Sequence, residues 1–207
     1  MKLRNTAITL GIGVVAVTSL SILNVNQNLV IGLTAVVSGA GLMIALTDKN
    51  NLYKSRKDYE YYFNRGQDKF EVANYKGAIV DYSKALELSP IEICLVYSMR
   101  GNAKRNLGDL DGAISDQNKA LNLDPLYADG YFNRSSAKFE MGNFSCAIDD
   151  YTKVIKINPK DSDAFFNRGK VKKEVGDIKG ACKDWREASN LGDEEAKKLI
   201  LEYCKYT

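Results

Sequence analysis

The sequence contains no histidine among its 207 residues. Catalytic triads with a histidine base, histidine-bound zinc or haem, and a histidine pH switch are therefore excluded. A glycine-rich phosphate loop and a cluster with metal-ligand spacing are also missing, so we predict neither an enzyme nor a metal or cofactor site, and no small-molecule substrate. The formal net charge of +3 is too small to indicate nucleic acid as a partner.

Cysteine is scarce and widely spaced. Cys94, Cys146, Cys182 and Cys204 are separated by 52, 36 and 22 residues, without a Cys-x-x-Cys motif. This spacing supports neither a zinc site nor a disulfide framework, so we expect reduced structural thiols in a cytoplasmic domain. Whether Cys182 and Cys204 lie close together is left open by the sequence.

Charge is distributed unevenly along the chain. Residues 1–47 contain Lys2, Arg4 and no acidic residue, whereas residues 48–207 carry the other 27 basic residues and all 26 acidic ones. Two uncharged apolar runs, 7–23 and 29–46, flank the polar segment 24–28. As helices each would be roughly 26 Å long, near the lower limit for a hydrocarbon core of about 30 Å. The pattern predicts a transmembrane helical hairpin that anchors the chain over residues 1–47.

Basic residues flank both apolar runs, and the turn between the runs has none. They are Lys2 and Arg4 before the first run and Lys49, Lys54, Arg56 and Lys57 after the second. The positive-inside rule then predicts a two-span membrane protein whose downstream domain is cytoplasmic. The alternative is a cleaved secretory leader with residues 7–23 as its apolar core, which predicts an exported soluble protein.

The rest of the chain repeats itself with a period of 34 or 35 residues. The prolines, of which there are only three, mark this period, and small and aromatic residues recur at fixed distances before them. The prolines are Pro90, Pro125 and Pro159; the alanines are Ala78, Ala113, Ala147 and Ala181; the small residues are Gly66, Gly101, Ser135 and Gly169; and the aromatics are Tyr62, Tyr97, Tyr131 and Phe165. A second small residue marks a turn within each unit, at Ala73, Gly108, Gly142 and Gly176. Each unit is therefore predicted to form two antiparallel helices, the second of which ends before the proline.

This pattern resembles the tetratricopeptide repeat (TPR) family. The resemblance covers residues 59–192 in four units, 59–93, 94–127, 128–161 and 162–192, after a linker over residues 48–58. It departs from the family at Ser135, Ala73 and Gln117, and in the absence of a proline that closes the fourth unit.

A further helix is predicted after the fourth unit, over residues 193–207. Ala196, Leu199, Ile200 and Tyr203 share one face, which predicts a cap for the last apolar surface of a stacked array. Trp185 is expected to pack beneath this cap. The predicted fold is thus all-α: a solenoid of about four helix-turn-helix units and a capping helix, preceded by the transmembrane hairpin.

One polar pair recurs in all four units. Each arginine that precedes the close-packed small residue is followed sixteen residues later by an aspartate. The pairs are Arg65 and Asp81, Arg100 and Asp116, Arg134 and Asp150, and Arg168 and Asp184. We interpret them as structural ion pairs that fix the repeat geometry, in preference to a row of anion-binding guanidinium groups.

The resemblance implies a ligand groove on the concave face formed by the first helices. Carried over to this chain, it includes Phe63, Asn64, Gln67, Phe70, Asn102, Arg105, Phe132, Asn133, Ser136, Phe139, Phe166, Asn167, Lys170 and Lys173. Asparagine could pair with a peptide backbone and phenylalanine could form apolar pockets. A clamp for a C-terminal carboxylate, known in this family, is not expected, because Phe63, Met99 and Asp129 stand where such a clamp needs cations. Acidic residues along the rim favour a neutral or mildly basic segment.

The sequence therefore predicts a membrane-tethered adaptor that binds a protein or peptide segment in its groove and scaffolds a membrane complex or assists its assembly. An exported soluble repeat protein that binds in the same way is the alternative.

Overall fold

The protein is described by a computed structural model that covers residues 31–38, 41–88 and 93–205, with side chains from residue 57 onward. The chain divides into two compact units, Met1–Lys54 and Ser55–Thr207.

The first unit contains an antiparallel pair of strands where the sequence predicted the second helix of the anchor. Strand β1 spans Ile31–Ser38 and β2 spans Gly41–Asp48, with Ile31 opposite Asp48 and Ser38 opposite Gly41. The predicted helix over residues 29–46 is thus wrong across these strands. The run is rich in β-branched valine, isoleucine and threonine, which favour extended backbone, and a short apolar run does not distinguish helix from strand by periodicity.

The predicted first helix of the anchor, residues 7–23, lies outside the described residues. Within the described part of the chain, no helix combines the length and the apolar character needed to cross a membrane.

The second unit is built from helices in antiparallel pairs. The residues described form α1 (Lys49–Glu71), α2 (Tyr75–Leu88), α3 (Cys94–Asn106), α4 (Leu110–Leu123), α5 (Ala128–Glu140), α6 (Phe144–Ile157), α7 (Ser162–Glu174), α8 (Ile178–Asn190) and α9 (Glu194–Tyr203). From α2 onward each helix packs on its neighbours in chain order, as expected for a solenoid. Arg65 of α1 is bonded to Asp81 of α2. Helix α1 begins at Lys49, so residues 49–58 are helical and not the linker that the sequence predicted.

The turn inside each unit combines a left-handed residue with an N-cap. Gly108, Gly142 and Gly176 have φ of +82°, +77° and +83°, and Ala73 adopts φ of +57° in the first unit. Asparagine or aspartate follows each of them, and the Asp109 side chain accepts a hydrogen bond from the backbone N–H of Gly112 at 2.9 Å. Because glycine tolerates positive φ and aspartate caps the next helix, this dipeptide reverses the chain within a few residues.

Small residues let the paired helices approach closely. A Cβ atom at Gly169 would lie 2.5 Å from Nε1 of Trp185, so the indole ring packs directly on the backbone of α7. The alanines Ala78, Ala113, Ala147 and Ala181 are buried at the matching position of the second helices. Cores of this kind recur along the unit, with the large side chains Tyr82, Tyr151 and Trp185 at their centres.

Helix α9 covers the end of the array. Its N-cap Asp193 accepts a hydrogen bond from Ala196 N–H, Ala196 is fully buried, and the rings of Trp185 and Tyr203 lie 5.8 Å apart. Cys182 in α8 and Cys204 at the end of α9 form a disulfide, with Cα atoms 5.8 Å apart. The prediction of reduced thiols is therefore wrong for this pair. The fold of α9 back over α8 brings residues 22 apart in sequence within disulfide distance, which the spacing alone did not indicate.

Candidate peptide-binding groove

The first helices are held in place by the recurrent arginines and aspartates. In every unit the arginine donates two hydrogen bonds to the aspartate sixteen residues later, one from Nε at 2.8 Å and one from Nη2 at 2.6–2.8 Å. All four aspartates, Asp81, Asp116, Asp150 and Asp184, are buried. Two parallel bonds fix both distance and orientation, so each pair sets the angle between the helices of its unit.

A lysine that the sequence analysis overlooked completes each of these sites. Lys69, Lys104, Lys138 and Lys172 lie one helical turn after the arginines, and each places Nζ 2.7–2.8 Å from the same aspartate. The signal was present in the sequence as an arginine followed four residues later by a lysine in all four units. Each buried carboxylate is therefore shared between two cations.

The arginines also connect neighbouring units. Nη1 of Arg100 donates to Ser83 Oγ at 3.0 Å, and Nη1 of Arg168 donates to Thr152 Oγ1 at 3.0 Å. In both cases the acceptor lies on the second helix of the preceding unit. The guanidinium groups lie over aromatic rings as well, for example Arg134 over Tyr131 at 5.4 Å. With carboxylate, neighbour and ring contacts in place, these arginines are structural rather than a row of free anion sites.

The electrostatic consequence is visible in two carboxyl groups. Hydrogen bonds from Arg65 lower the pKa of Asp81 below its usual value against the opposing effect of burial. At Asp116 burial is the largest influence and raises the pKa, but hydrogen bonds from Arg100 and Lys104 outweigh it, and the pKa is lowered. Both groups are thus held as carboxylates in the folded protein.

The groove itself is formed where first helices of neighbouring units meet. Nδ2 of Asn133 in α5 donates to Ser98 Oγ in α3 at 3.2 Å, and Nη1 of Arg105 lies 3.3 Å from Glu140 Oε1. These contacts put α3 and α5 side by side and bring Asn133 and Arg105, both predicted for the groove, to the junction of the second and third units.

Two buried polar atoms at this junction lack a hydrogen-bond partner within the described part of the chain. They are Oδ1 of Asn102, an acceptor, and Nε of Arg105, a donor one helical turn away. Unpaired buried polar atoms are costly, so a ligand that supplies their partners would recover that free energy. Among the described residues of the predicted set, Asn102 and Arg105 are the two with a buried side-chain atom that lacks a partner.

The predicted phenylalanines are half-buried in contacts within their own units. Phe132 stacks edge-on against Tyr151 with ring centres 5.4 Å apart, and Phe139 lies 5.8 Å from Phe144. Phe63 and Phe70 contact Tyr82 and Tyr75 in the same manner, and Phe166 packs on the last core. Each of these rings is therefore partly covered by side chains of its own unit and is less open than an unoccupied pocket would be.

The other predicted residues differ in how accessible they are. Ser136 is buried and bonded to Tyr151 Oη and the Phe132 carbonyl, so it is already satisfied. Asn64 is exposed, and Gln67 is half-buried. Asn167 donates to the Asp163 carbonyl.

Two lysines at the fourth unit lie over aromatic rings. Nζ of Lys170 is 5.5 Å from the centre of the Phe166 ring, and Nζ of Lys173 is 5.2 Å from the Tyr203 ring and 3.2 Å from a Glu174 oxygen. At this end the groove is therefore bordered by α9.

Acidic side chains line both ends of the first helices. Five exposed ones are Glu71, Asp129, Glu140, Asp163 and Glu174. Among the described residues, no three cysteine, aspartate or glutamate side chains are grouped so that they could hold a metal ion. The residues predicted for the groove thus combine polar side chains on α3 and α5 with exposed carboxylates near the ends of the first helices.

Comparison with known proteins agrees with this architecture. A model described as a tetratricopeptide repeat matches residues 96–125, and one described as a TPR repeat matches residues 135–176. No curated protein sequence matched this chain.

Several solved structures are similar in fold. The crystal structure of MamA is 24% identical, covers 72% of this chain and 86% of its own, and has a TM-score of 0.62. YrrB, described as a TPR protein with an unusual peptide-binding site, is 20% identical, covers 68% of this chain and 73% of its own, with a TM-score of 0.60. The first TPR of Spaghetti, bound to an HSP90 peptide, is 24% identical, covers 58% of this chain and 94% of its own, with a TM-score of 0.55. Residues 96–125 and 135–176 are therefore tetratricopeptide repeats, within a solenoid of that fold that comprises the nine helices of the described residues.

Proposed function

We propose that this protein is an adaptor that binds an extended protein segment in the groove of its first helices. The observation that carries the proposal is the unpaired acceptor and donor, Asn102 Oδ1 and Arg105 Nε, beside Asn133 at the junction of units two and three. An extended peptide presents alternating N–H and C=O groups that match such a pair. The solved structures of YrrB and Spaghetti, whose descriptions mention peptide binding, support the same use of this fold.

The groove favours a segment of neutral or mildly basic character. Exposed carboxylates such as Asp129 and Asp163 line its rim, whereas Arg105 at its centre already has Glu140 as a partner. A strongly acidic segment would meet repulsion from the rim.

The test is peptide binding by the whole chain. Peptides selected from a random display library should lose affinity at least tenfold when Asn102 and Asn133 are both replaced by alanine, because two backbone hydrogen bonds are lost. The exchange of the exposed Asn122 on α4 and the exposed Asn190 on α8 for alanine is the matched control and should leave affinity unchanged. Equal affinity of the groove variant and the unmodified chain would refute the assignment, provided that both proteins show the same helical circular dichroism.

The adaptor is proposed to be tethered to a membrane by its N-terminal segment, with its repeats in the cytoplasm, where it scaffolds a membrane complex or assists its assembly. Residues 5–47 contain no charged side chain, and basic residues follow them. Sedimentation of the full chain with carbonate-washed membranes tests the tether. Release into the soluble fraction would contradict it.

A second candidate, an exported binding protein, is favoured by one observation. The Cys182–Cys204 disulfide joins buried cysteines, and disulfides persist chiefly in oxidising compartments. Protease treatment of intact spheroplasts distinguishes the two locations. Protection of the repeat domain until lysis supports the cytoplasmic adaptor, and digestion from outside supports export.

A further inference from the structure

The outer surface of the last two repeats carries an excess of positive charge. Helices α6 and α8 and the loop between α6 and α7 expose six basic side chains against the two exposed carboxylates of Asp149 and Glu187. The basic residues are Lys153, Lys156, Lys160, Lys179, Lys183 and Arg186. The rim of the first helices, by contrast, is acidic. The two sides of the repeat unit therefore differ in the sign of their exposed charge.

An apolar cleft opens among these lysines. It encloses about 420 Å³ and is lined by Pro125, Leu126, Tyr131, Lys153, Lys156 and Ile157. Leu126, in the loop between α4 and α5, is 73% exposed, and Leu123 at the end of α4 is 40% exposed. Leu126 and the two lysines of the cleft lining combine an apolar contact with a cationic one, and Leu123 adds a second exposed apolar side chain close by in the sequence.

We propose that this outer face, defined by Leu123, Leu126, Lys153, Lys156 and Lys160, binds the surface of an anionic lipid bilayer. The lysines match the negative headgroups, and the two leucines can enter the headgroup boundary, where apolar side chains are stabilised. The uncharged segment 5–47 favours a bilayer over an acidic protein as the partner. To that extent the inference rests on the proposed tether, which would keep the local concentration of lipid high.

The exposed basic side chains of α6 and α8 lie outside the set of residues predicted for the groove. Lipid contact through the second helices leaves the acidic rim and the groove of the first helices open to a peptide. The tether would then limit the distance of the repeat domain from the bilayer, and the outer face would fix its orientation.

The test uses the full chain with a polarity-sensitive fluorophore on the outer face. The free cysteines Cys94 and Cys146 are replaced by serine, and the label is attached through Asn122→Cys, at an exposed position on α4 beside the leucines. The protein is combined with vesicles of phosphatidylcholine, with or without phosphatidylglycerol. A matched label at Asn64→Cys reports on the inner side.

We expect the Asn122→Cys label to shift to shorter wavelength only when phosphatidylglycerol is present, and added salt should reverse the shift because surface charges are screened. The label at Asn64→Cys should not respond. The Lys153→Glu and Lys156→Glu double variant should raise the lipid concentration for half of the shift by roughly tenfold or more. The Lys197→Glu and Lys198→Glu variant changes net charge equally on α9, where these lysines pair with Glu194 and Glu195, and should have little effect.

Three results would overturn the proposal: no shift on anionic vesicles, an equal shift with both charge variants, or a shift with polyglutamate but not with lipid. The third would assign the face to an acidic protein. Membrane tethering through the N-terminal segment is measured separately, by flotation of the chain with pure phosphatidylcholine vesicles. Its failure leaves the lipid response of the labelled chain measurable.

Discussion

At the scale of the residue, the buried aspartates determine how firmly each pair of helices is held. Asp116 is 1% exposed and is bonded to Arg100 and Lys104, both of which are also largely buried. Removal of the carboxylate would leave two cations without a partner in a poorly solvated site. The cost of such a change comes from the charges left behind more than from the bond that is lost.

Replacement of Asp116 by alanine should therefore lower the free energy of unfolding by about 3–5 kcal/mol. Urea denaturation followed by circular dichroism measures this. The exposed pair Lys84 and Glu87 is the control, and Glu87→Ala should change the unfolding midpoint little, because solvent screens such pairs. A similar effect of both substitutions would show that burial does not decide the contribution of these charges.

The same aspartates should make the stability of the domain depend on pH in the acid range. Because the pKa values of Asp81 and Asp116 are lowered in the folded protein, the unfolded chain binds more protons in the acid range. The contribution of these two carboxylates to the free energy of unfolding should be fully present above the ordinary aspartate pKa of about 4. It should be lost as the pH falls toward their lowered pKa values. Urea midpoints measured from pH 7 to lower pH should decline less steeply for Asp116→Asn than for the unmodified chain. An identical slope would mean that Asp116 does not contribute.

At the scale of the element, the predicted starts of units two to four coincide with helix starts, whereas α1 begins at Lys49 and the first unit was predicted to begin at residue 59. Helices α3, α5 and α7 start at Cys94, Ala128 and Ser162, the residues that begin the predicted units. The pattern works because small residues, turn glycines and prolines each impose a local constraint that recurs. The lysine that joins each aspartate was missed, because a lysine on a helix is usually solvated and only the fold shows which face it shares.

In the N-terminal segment the sequence did not distinguish helix from strand. The apolar run has no helical or alternating period that would select one structure, and strands β1 and β2 form over Ile31–Ser38 and Gly41–Asp48. For the groove, the assignment of Asn102 and Arg105 to the ligand face came from the family resemblance and stays a prediction. The sequence could not show that the Ser136 hydroxyl is hydrogen-bonded to Tyr151, since that depends on how closely α5 and α6 pack.

The capping helix offers a test at the scale of the element. The disulfide closes a loop of residues 22 apart, and its removal by Cys182→Ser and Cys204→Ser should cost about 2–4 kcal/mol. Hydrogen exchange should then show faster amide exchange in α9 and around Trp185, whereas α3 and α4 change less. Uniform loss of protection in all helices would contradict a local role for the disulfide. The Cys94→Ser variant, which removes a free thiol, is the control.

At the scale of the whole molecule, the repeat domain has two surfaces with different chemistry. The first helices form a groove with unpaired polar atoms at Asn102 and Arg105 and an acidic rim. Helices α6 and α8 expose an excess of basic side chains, and a cleft lined by Leu126 and two lysines lies beside them. If both proposals hold, a peptide segment would be bound on one side of the repeat domain and a lipid surface on the other, as an adaptor at a membrane requires.

The measurement that tests the central claim most directly is photo-crosslinking in living cells. A photoreactive amino acid is placed at Asp129, on the exposed rim of α5, or at Asn122, on the outer side of α4. The account predicts a discrete protein adduct from position 129 that disappears when Asn102 and Asn133 are also replaced by alanine, and no such protein adduct from position 122. An adduct from position 129 that survives those replacements, or protein adducts from position 122 alone, would contradict binding in the groove.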